Sequence, residues 1–428
     1  MAEIVPFRAL RFTPAAGTPA ELCCPPYDII SEPERQAYLA RNAHNIIRLE
    51  LPREGEDPYT HAGETLKRWQ AEGLIACDDA PGYYIYEEEF DALGERKSVK
   101  GFICRVRLEE FSKGVVLPHE ETLSKAKEDR FRLMDATRCN FSQIYSLYRD
   151  PAHETSSLLA KLSDGAPAVE FTDGDGVTHR LWTVTDPQVL AQISAQFKDR
   201  KLYIADGHHR YETALNFRNH LREIGEAREG DACDYVMMML VDLENPGLVV
   251  FPTHRIVRGL AGFDAAALLD ACREQFEVRD LPLAQAQAAL DGAYAAGEKA
   301  VVLYAGGDTA HLLTLRSMEP LAALLPDKSK ALRGLDVTVL HTLVLERVLG
   351  IDRENMANQV NLTYTRDREE ALESVRTGAA NCCFLMNPTR VTEISDVAAA
   401  GEKMPQKSTY FYPKLITGLV MNQFGEIR

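Results

Sequence analysis

The stretch KLYIADGHHRYETAL, Lys201–Leu215, decides how the rest of the chain is read. Leu202–Ala205 is a short apolar run closed by Asp206-Gly207, the pattern of a buried strand that ends in a tight turn. From His208 onward the period changes, and Tyr211, Ala214, Leu215 and Phe217 fall on one side of a helix. Strand, turn and helix in that order put the polar residues at a strand's carboxyl end, where ligands of open α/β sheets collect. Gly207 permits the turn. The helix start is an anion site to which His208, His209 and Arg210 add side-chain donors. A phosphate suits that set: Arg210 offers a forked contact, and Asp206 either holds Mg2+ or orients a histidine. The competing reading is a capped helix with two solvated histidines, but four functional side chains within five residues favour the ligand site.

Outward from this stretch, other polar groupings stand out. In LPHEETLSKAKEDRFRLMDATRCNFS, Leu117–Ser142, His119 and Glu120 follow a proline and precede a helix rich in Lys and Arg. A carboxylate beside an imidazole reads as a base and its orienter, or else as a helix start whose acids complement the dipole. FPTHRIV, Phe251–Val257, sets His254 and Arg255 after a strand and a proline. MPQKSTYFYPKL, Met404–Leu415, offers Lys407 and Ser408 to a phosphate and aromatic rings to a base, or else a C-terminal strand docked in the core. CCPPYDII, Cys23–Ile30, places Tyr27 and Asp28 after two prolines. Walker A, kinase glycine-loop, GxSxG and Rossmann patterns are absent from the sequence.

The 428 residues carry 48 Lys and Arg against 64 Asp and Glu, a net charge of -16, so the long-range field repels polyanions. Nucleic acid and anionic membranes are therefore excluded as expected partners, while a small phosphorylated ligand held by local donors is not. Nine scattered cysteines without a CxxC, no export signal and no apolar run long enough to span a bilayer point to the cytoplasm. Strands are expected at Tyr83–Phe90, Val99–Arg107, Lys201–Ala205, Tyr235–Val241 and Val249–Phe251. Helices are expected at Glu32–Arg41, Ala62–Gln70, Tyr211–Glu223, Asp264–Gln275, Val337–Leu349 and Arg368–Arg376. Their irregular alternation predicts an α/β or α+β class with a mixed sheet. Composition shifts divide the chain into regions 1–150, 151–258 and 259–386, and a tail 387–428 that returns to the core or the site.

VPFRALRF (Val5–Phe12), PPYDII (Pro25–Ile30), NIIRLELP (Asn45–Pro52), PHEETLSKAKEDR (Pro118–Arg130), YIADGHHRYETAL (Tyr203–Leu215), PTHRIV (Pro252–Val257) and MPQKSTYFYPKLITGLV (Met404–Val420) together resemble one prokaryotic family, catalogued as domain of unknown function family 1015. DGHHRY also resembles the strand-turn-helix box of the ParB/sulfiredoxin fold, including the free L-serine kinases built on it. The resemblance implies that Asp206, Gly207, His208, His209 and Arg210 form a nucleotide-phosphate site, and that a separate glutamate acts as base. By role, that glutamate is Glu120.

The expected activity is a kinase that moves a phosphoryl group from ATP or ADP to a free hydroxyl amino acid, L-serine first. Catalytic roles fall to Glu120, His119 and Asp206. Gly207, His208, His209, Arg210, Lys407 and Ser408 hold the nucleotide, Asp206 places Mg2+, and His254, Arg255, Tyr27 and Asp28 meet the substrate. The alternatives are a nucleotide or phosphoester hydrolase on the same cradle, with water as acceptor, and a nucleotide-binding switch module.

Overall fold

A computed structural model describes residues 2–122 and 124–424, so Leu123, within the PHEETLSKAKEDR segment, lies outside the described residues. The chain forms two units. The first comprises Met1–Pro118, Thr122–Val249 and Pro413–Arg428, and the second His119–Glu121 and Val250–Tyr412. The class is mixed α/β, as the irregular alternation of elements predicts.

The first unit is built on a nine-stranded mixed sheet. Its order runs Val116–Leu117, Leu202–Asp206, Ile144–Tyr148, Tyr235–Asp242, Glu95–Arg107, Tyr83–Ala92, Thr178–Val184 and Val169–Thr172, with Ile4–Val5 also on Glu95–Arg107. Leu202–Asp206 runs parallel to Val116–Leu117 and antiparallel to Ile144–Tyr148, with an irregularity between Ile204 and Asp206 that turns the strand end. Gly101 lies opposite Val241, and a Cβ there would come within 2.3 Å of the Leu240 carbonyl oxygen, so only glycine lets these two central strands pair. Helix His208–Glu223 buries Tyr211, Ala214, Leu215, Phe217 and Leu221, the 3.6-residue stripe read from the sequence. Each large apolar side chain on that stripe contributes about 1.5–3 kcal/mol. Tyr211 also fixes the helix by polar contact: its hydroxyl donates to the Glu109 carbonyl at 2.7 Å and accepts from the Glu109 N–H at 2.9 Å.

The second unit carries a six-stranded antiparallel sheet in the order Phe276–Pro282, Thr309–Leu315, Ala300–Tyr304, Cys382–Leu385, His254–Val257 and Leu362–Thr365. Helix Ala286–Ala295 packs Ala286, Leu290 and Ala293 into a core that includes Val302, Tyr304, Leu372 and Leu385. Helices Glu32–Arg41 and Arg368–Arg376 have the bounds their periodicity predicts. The expected helix Val337–Leu349 departs from this. It is α-helical only over Asp336–Leu340 and continues as a π-helix over His341–Glu346. Among the described residues, no helix is long and apolar enough to cross a membrane.

Candidate functional site

In the first unit the strand Leu202–Asp206 delivers Asp206 to the turn, and Gly207 takes φ 95° as the residue before the helix. That left-handed conformation is cheap for glycine alone. A Cβ at Gly207 would also stand 2.9 Å from Arg210 Nε, because the arginine folds back across the turn. Arg210 Nη2 donates to Asp206 Oδ2 at 2.7 Å and Nη1 to the Gln143 carbonyl at 2.6 Å. Lys414, from the returning C-terminal segment, donates to the other Asp206 oxygen. One carboxylate thus holds two cations side by side at a helix N-terminus. The three side chains keep only 11–17% of their surface exposed. His208 is buried and His209 half-buried at the same helix start. On the next residues, Glu212 accepts from Thr122 Oγ1 at 2.7 Å and Lys127 Nζ at 2.8 Å.

Behind Arg210 is a small cavity of about 40 Å³ bordered by Glu50, Arg130, Ser142 and Arg210. Glu50 is fully buried, and burial raises its pKa; Ser142 donates to its Oε1 at 3.0 Å, and Arg130 donates to its carbonyl at 2.7 Å. Arg130 also stacks 4.0 Å over the Tyr27 ring. Tyr27, expected to meet substrate, therefore packs under an arginine, and burial pushes its phenol up to about 12. Asp28 is exposed in the short 3-10 turn Tyr27–Ile29. Glu50 and Arg130 lay within quoted motifs without being assigned a role. A carboxylate at position 50 inside the apolar run NIIRLELP was the available signal.

The second unit contains His119 and Glu120. Thr409 joins them: its Oγ1 donates to Glu120 Oε1 at 3.1 Å and lies 3.0 Å from His119 Nε2. The imidazole is fully buried, while about a third of the Glu120 side chain stays exposed. Carboxylate, hydroxyl and imidazole therefore form one chain, a geometry able to orient a base. The segment is also pinned by its backbone, since the Met404 N–H donates to the His119 carbonyl at 2.7 Å.

Several expected roles need correction. Lys407 and Ser408 are expected to hold the nucleotide. Ser408 spends its hydroxyl on the Pro405 carbonyl, and Lys407 is exposed at φ 57° with its carbonyl accepting from Arg255 Nη2 at 3.1 Å. Lys414, seven residues on, is the lysine on Asp206. His254 and Arg255, expected to touch substrate, are 3% and 2% exposed. His254 Nδ1 accepts from the Met386 N–H at 3.1 Å, and burial with the neighbouring Arg255 charge lowers its pKa to about 4, so it is a neutral strand residue. The donor set at Asp206 does not fit a resident Mg2+. Both oxygens accept from cations, and among the described residues no three His, Cys, Asp or Glu side chains gather as a metal would require.

Fold and site define a mixed α/β protein organised around a strand-turn-helix whose turn is held by two cations on one carboxylate. The chain belongs to the family described as Protein of unknown function (DUF1015), which matches residues 4–338. Among solved structures it is similar to a free serine kinase in complex with AMP, at 15% identity and TM-score 0.36, over 74% of this chain and 90% of that one. It is similar to a conserved hypothetical protein from Pyrococcus furiosus, at 14% identity and TM-score 0.36, over 75% and 96%. A third is SbnI with a C-terminal truncation from Staphylococcus aureus, at 11% identity and TM-score 0.35, over 74% and 86%. A search of curated proteins gave no match.

Proposed function

We propose that the chain is a phosphotransferase that moves a phosphoryl group from ATP or ADP to the hydroxyl of a free amino acid, with L-serine the first acceptor to test. The observation that carries this reading is the Arg210–Asp206–Lys414 clamp at the start of helix His208–Glu223. The clamp brings two cations to a helix end that already favours anions. A nucleotide phosphate suits that place, and Gly207 lets the backbone come close to it. Magnesium enters as part of the Mg–nucleotide substrate.

A general base takes the proton of the acceptor hydroxyl as its oxygen bonds to the terminal phosphorus, and Glu120 is the candidate for that role. The bond from phosphorus to the bridging oxygen breaks, and its electron pair leaves with the shortened nucleotide. Arg210 and Lys414 offset negative charge on the transferring group. His119 and Thr409 act as positioning residues that hold one oxygen of Glu120.

The test is to incubate the protein with ATP or ADP and a panel of amino acids and follow phosphoamino-acid formation by phosphorus NMR. Product is expected only with hydroxyl-bearing acceptors. Glu120→Gln should lower turnover by about 10²–10⁴-fold with nucleotide affinity unchanged. Nucleotide loss that ignores the acceptor would make the protein a hydrolase, and binding without turnover would make it a switch module. Either result overturns the kinase reading.

A further inference from the structure

The second unit ends its six-stranded sheet in Phe276–Pro282, a strand of seven residues, where the edge strands Val116–Leu117, Val169–Thr172 and Leu362–Thr365 have at most four. Phe276 and Leu281 are buried and fix the strand in place, while Glu277, Arg279 and Asp280 are exposed. Its one neighbour in the sheet is Thr309–Leu315. Two hydrogen bonds set the phase of that ladder: the Arg316 N–H donates to the Gln275 carbonyl at 3.0 Å, and the Leu283 N–H to the Asp308 carbonyl at 2.9 Å. Antiparallel strands alternate hydrogen-bonded with non-hydrogen-bonded pairs, so Glu277, Arg279 and Leu281 turn their backbone groups to the neighbour. The N–H and carbonyl of Phe276, Val278 and Asp280 therefore point away from the sheet, and among the described residues nothing pairs with them. Pro282, which has no N–H, bounds this open row.

An open edge is a template for another strand, and charged side chains usually keep it from pairing. Here the charges stand in an order that is its own complement. Glu277 and Arg279 project on one face of the strand, with Val278 between them on the other. Among the described residues neither makes an ion pair or a side-chain hydrogen bond, whereas His311 Nδ1 lies 2.7 Å from Asp280 Oδ1. In an antiparallel pairing of two copies about a two-fold axis, only an axis through Val278 uses all three outward-facing residues, Phe276 with Asp280 and Val278 with itself. That axis also sets Glu277 opposite Arg279 of the second copy, twice, in non-hydrogen-bonded pairs, where side chains stand closest. An axis at Glu277 or at Arg279 loses one outward-facing residue and sets like charges directly against each other, which is destabilising.

We propose that Phe276–Pro282 is a self-recognition edge, to which the same strand of a second copy of this chain adds antiparallel about a two-fold axis at Val278, with Glu277 and Arg279 of each copy paired to Arg279 and Glu277 of the other. The occupant is a second copy because both the row of outward-facing backbone groups and the charge order complement themselves. A pair of single strands is a small contact beside the about 1,200–2,000 Å² of stable interfaces, so the dimer should dissociate on dilution. Pairing at this edge requires nothing of the phosphotransfer reading, and nucleotide plays no part in testing it.

The experiment is sedimentation equilibrium of the nucleotide-free full chain over a wide range of loading concentrations, where a monomer–dimer equilibrium is expected. Glu277→Arg and Arg279→Glu each set like charges at both cross-strand positions, and each should weaken dimerisation about three- to thirtyfold. The double swap Glu277→Arg with Arg279→Glu recreates the opposite order and should restore the dimer. A one-to-one mixture of the two single variants should also dimerise, since the arginines of one then face the glutamates of the other. Both positions are exposed, and circular dichroism confirms that the variants fold; if one single variant does not, the other and the double swap decide. A monomer at every concentration, a dimer that the folded single variants leave unchanged, or a loss that the double swap or the mixture fails to restore would overturn the proposal.

Discussion

Two clusters of acids and bases lie on the nine-stranded sheet of the first unit, and they behave differently. Near one edge, Asp206 pairs with Arg210 and Lys414, and each side chain keeps 11–17% exposure. Toward the other edge, the Tyr86 hydroxyl lies 2.9 Å from Glu88 Oε1 and 2.6 Å from His179 Nδ1, and His179 Nε2 lies 3.0 Å from Asp173. Tyr86, Glu88 and His179 are all at most 2% exposed, and Phe171 stacks on the imidazole. Composition alone would rank the two alike. Access separates them: each member of the Asp206 cluster keeps an edge that a ligand can reach, whereas Tyr86, Glu88 and His179 are sealed, only Asp173 at the end of their chain stays 22% exposed, and the group serves to hold two strands together.

The sharpest way to break this comparison is Arg210→Ala. If the Asp206 cluster is a binding element, nucleotide affinity should fall by about 1–3 kcal/mol, the usual scale of charge-assisted contacts, measured by titration of the folded variant. Deleting His179 should leave that affinity untouched and show instead as lost thermal stability. The reverse pattern would exchange the roles assigned to the two clusters.

Gly207→Ala joins stability to binding at the Asp206 cluster. A residue with a Cβ at φ 95° is strained by about 1–3 kcal/mol, and the new methyl would meet the Arg210 guanidinium. Because the near atoms belong to a flexible side chain, Arg210 yields and leaves Asp206. The variant should therefore melt lower and also bind nucleotide more weakly. A stability loss with full affinity would show that the Arg210–Asp206 pair is dispensable for binding.

What could be read from the sequence follows the same division. The strand-turn-helix at Leu202–Glu223 was legible because period, turn residue and polar cluster are all local. Its second cation was not. Lys407 and Lys414 sit in one short polar and aromatic segment, and choosing Lys414 requires knowing that the chain returns to a residue 208 positions earlier. Thr409 stands two residues beyond Lys407 in the same segment, and its pairing with His119 and Glu120 spans a still larger gap, 290 and 289 positions. Glu88 had a local signal, an acid at an inward position of YYIYEEEF, yet its partner His179 stands opposite it on a strand about ninety residues away.

Glu88 also supplies the most specific prediction, a slope in stability against pH. Burial pushes its carboxyl up to about 8, against 4.5 for an unperturbed glutamate. Between those values the folded chain keeps the proton and the unfolded chain has released it, so unfolding sheds a proton and is favoured as pH rises. Stability should thus fall from about pH 4.5 to about pH 8 and then level off, with a slope from this one group of at most about 1.4 kcal/mol per pH unit. Glu88→Gln keeps the size and removes the titration. Its denaturant midpoints should vary less between pH 5 and 8 than those of the unsubstituted protein, with nucleotide affinity the same in both. If the two curves run parallel, Glu88 is not the buried proton store. If affinity follows the slope, the sealed cluster is coupled to the Asp206 cluster, and the contrast drawn between them fails.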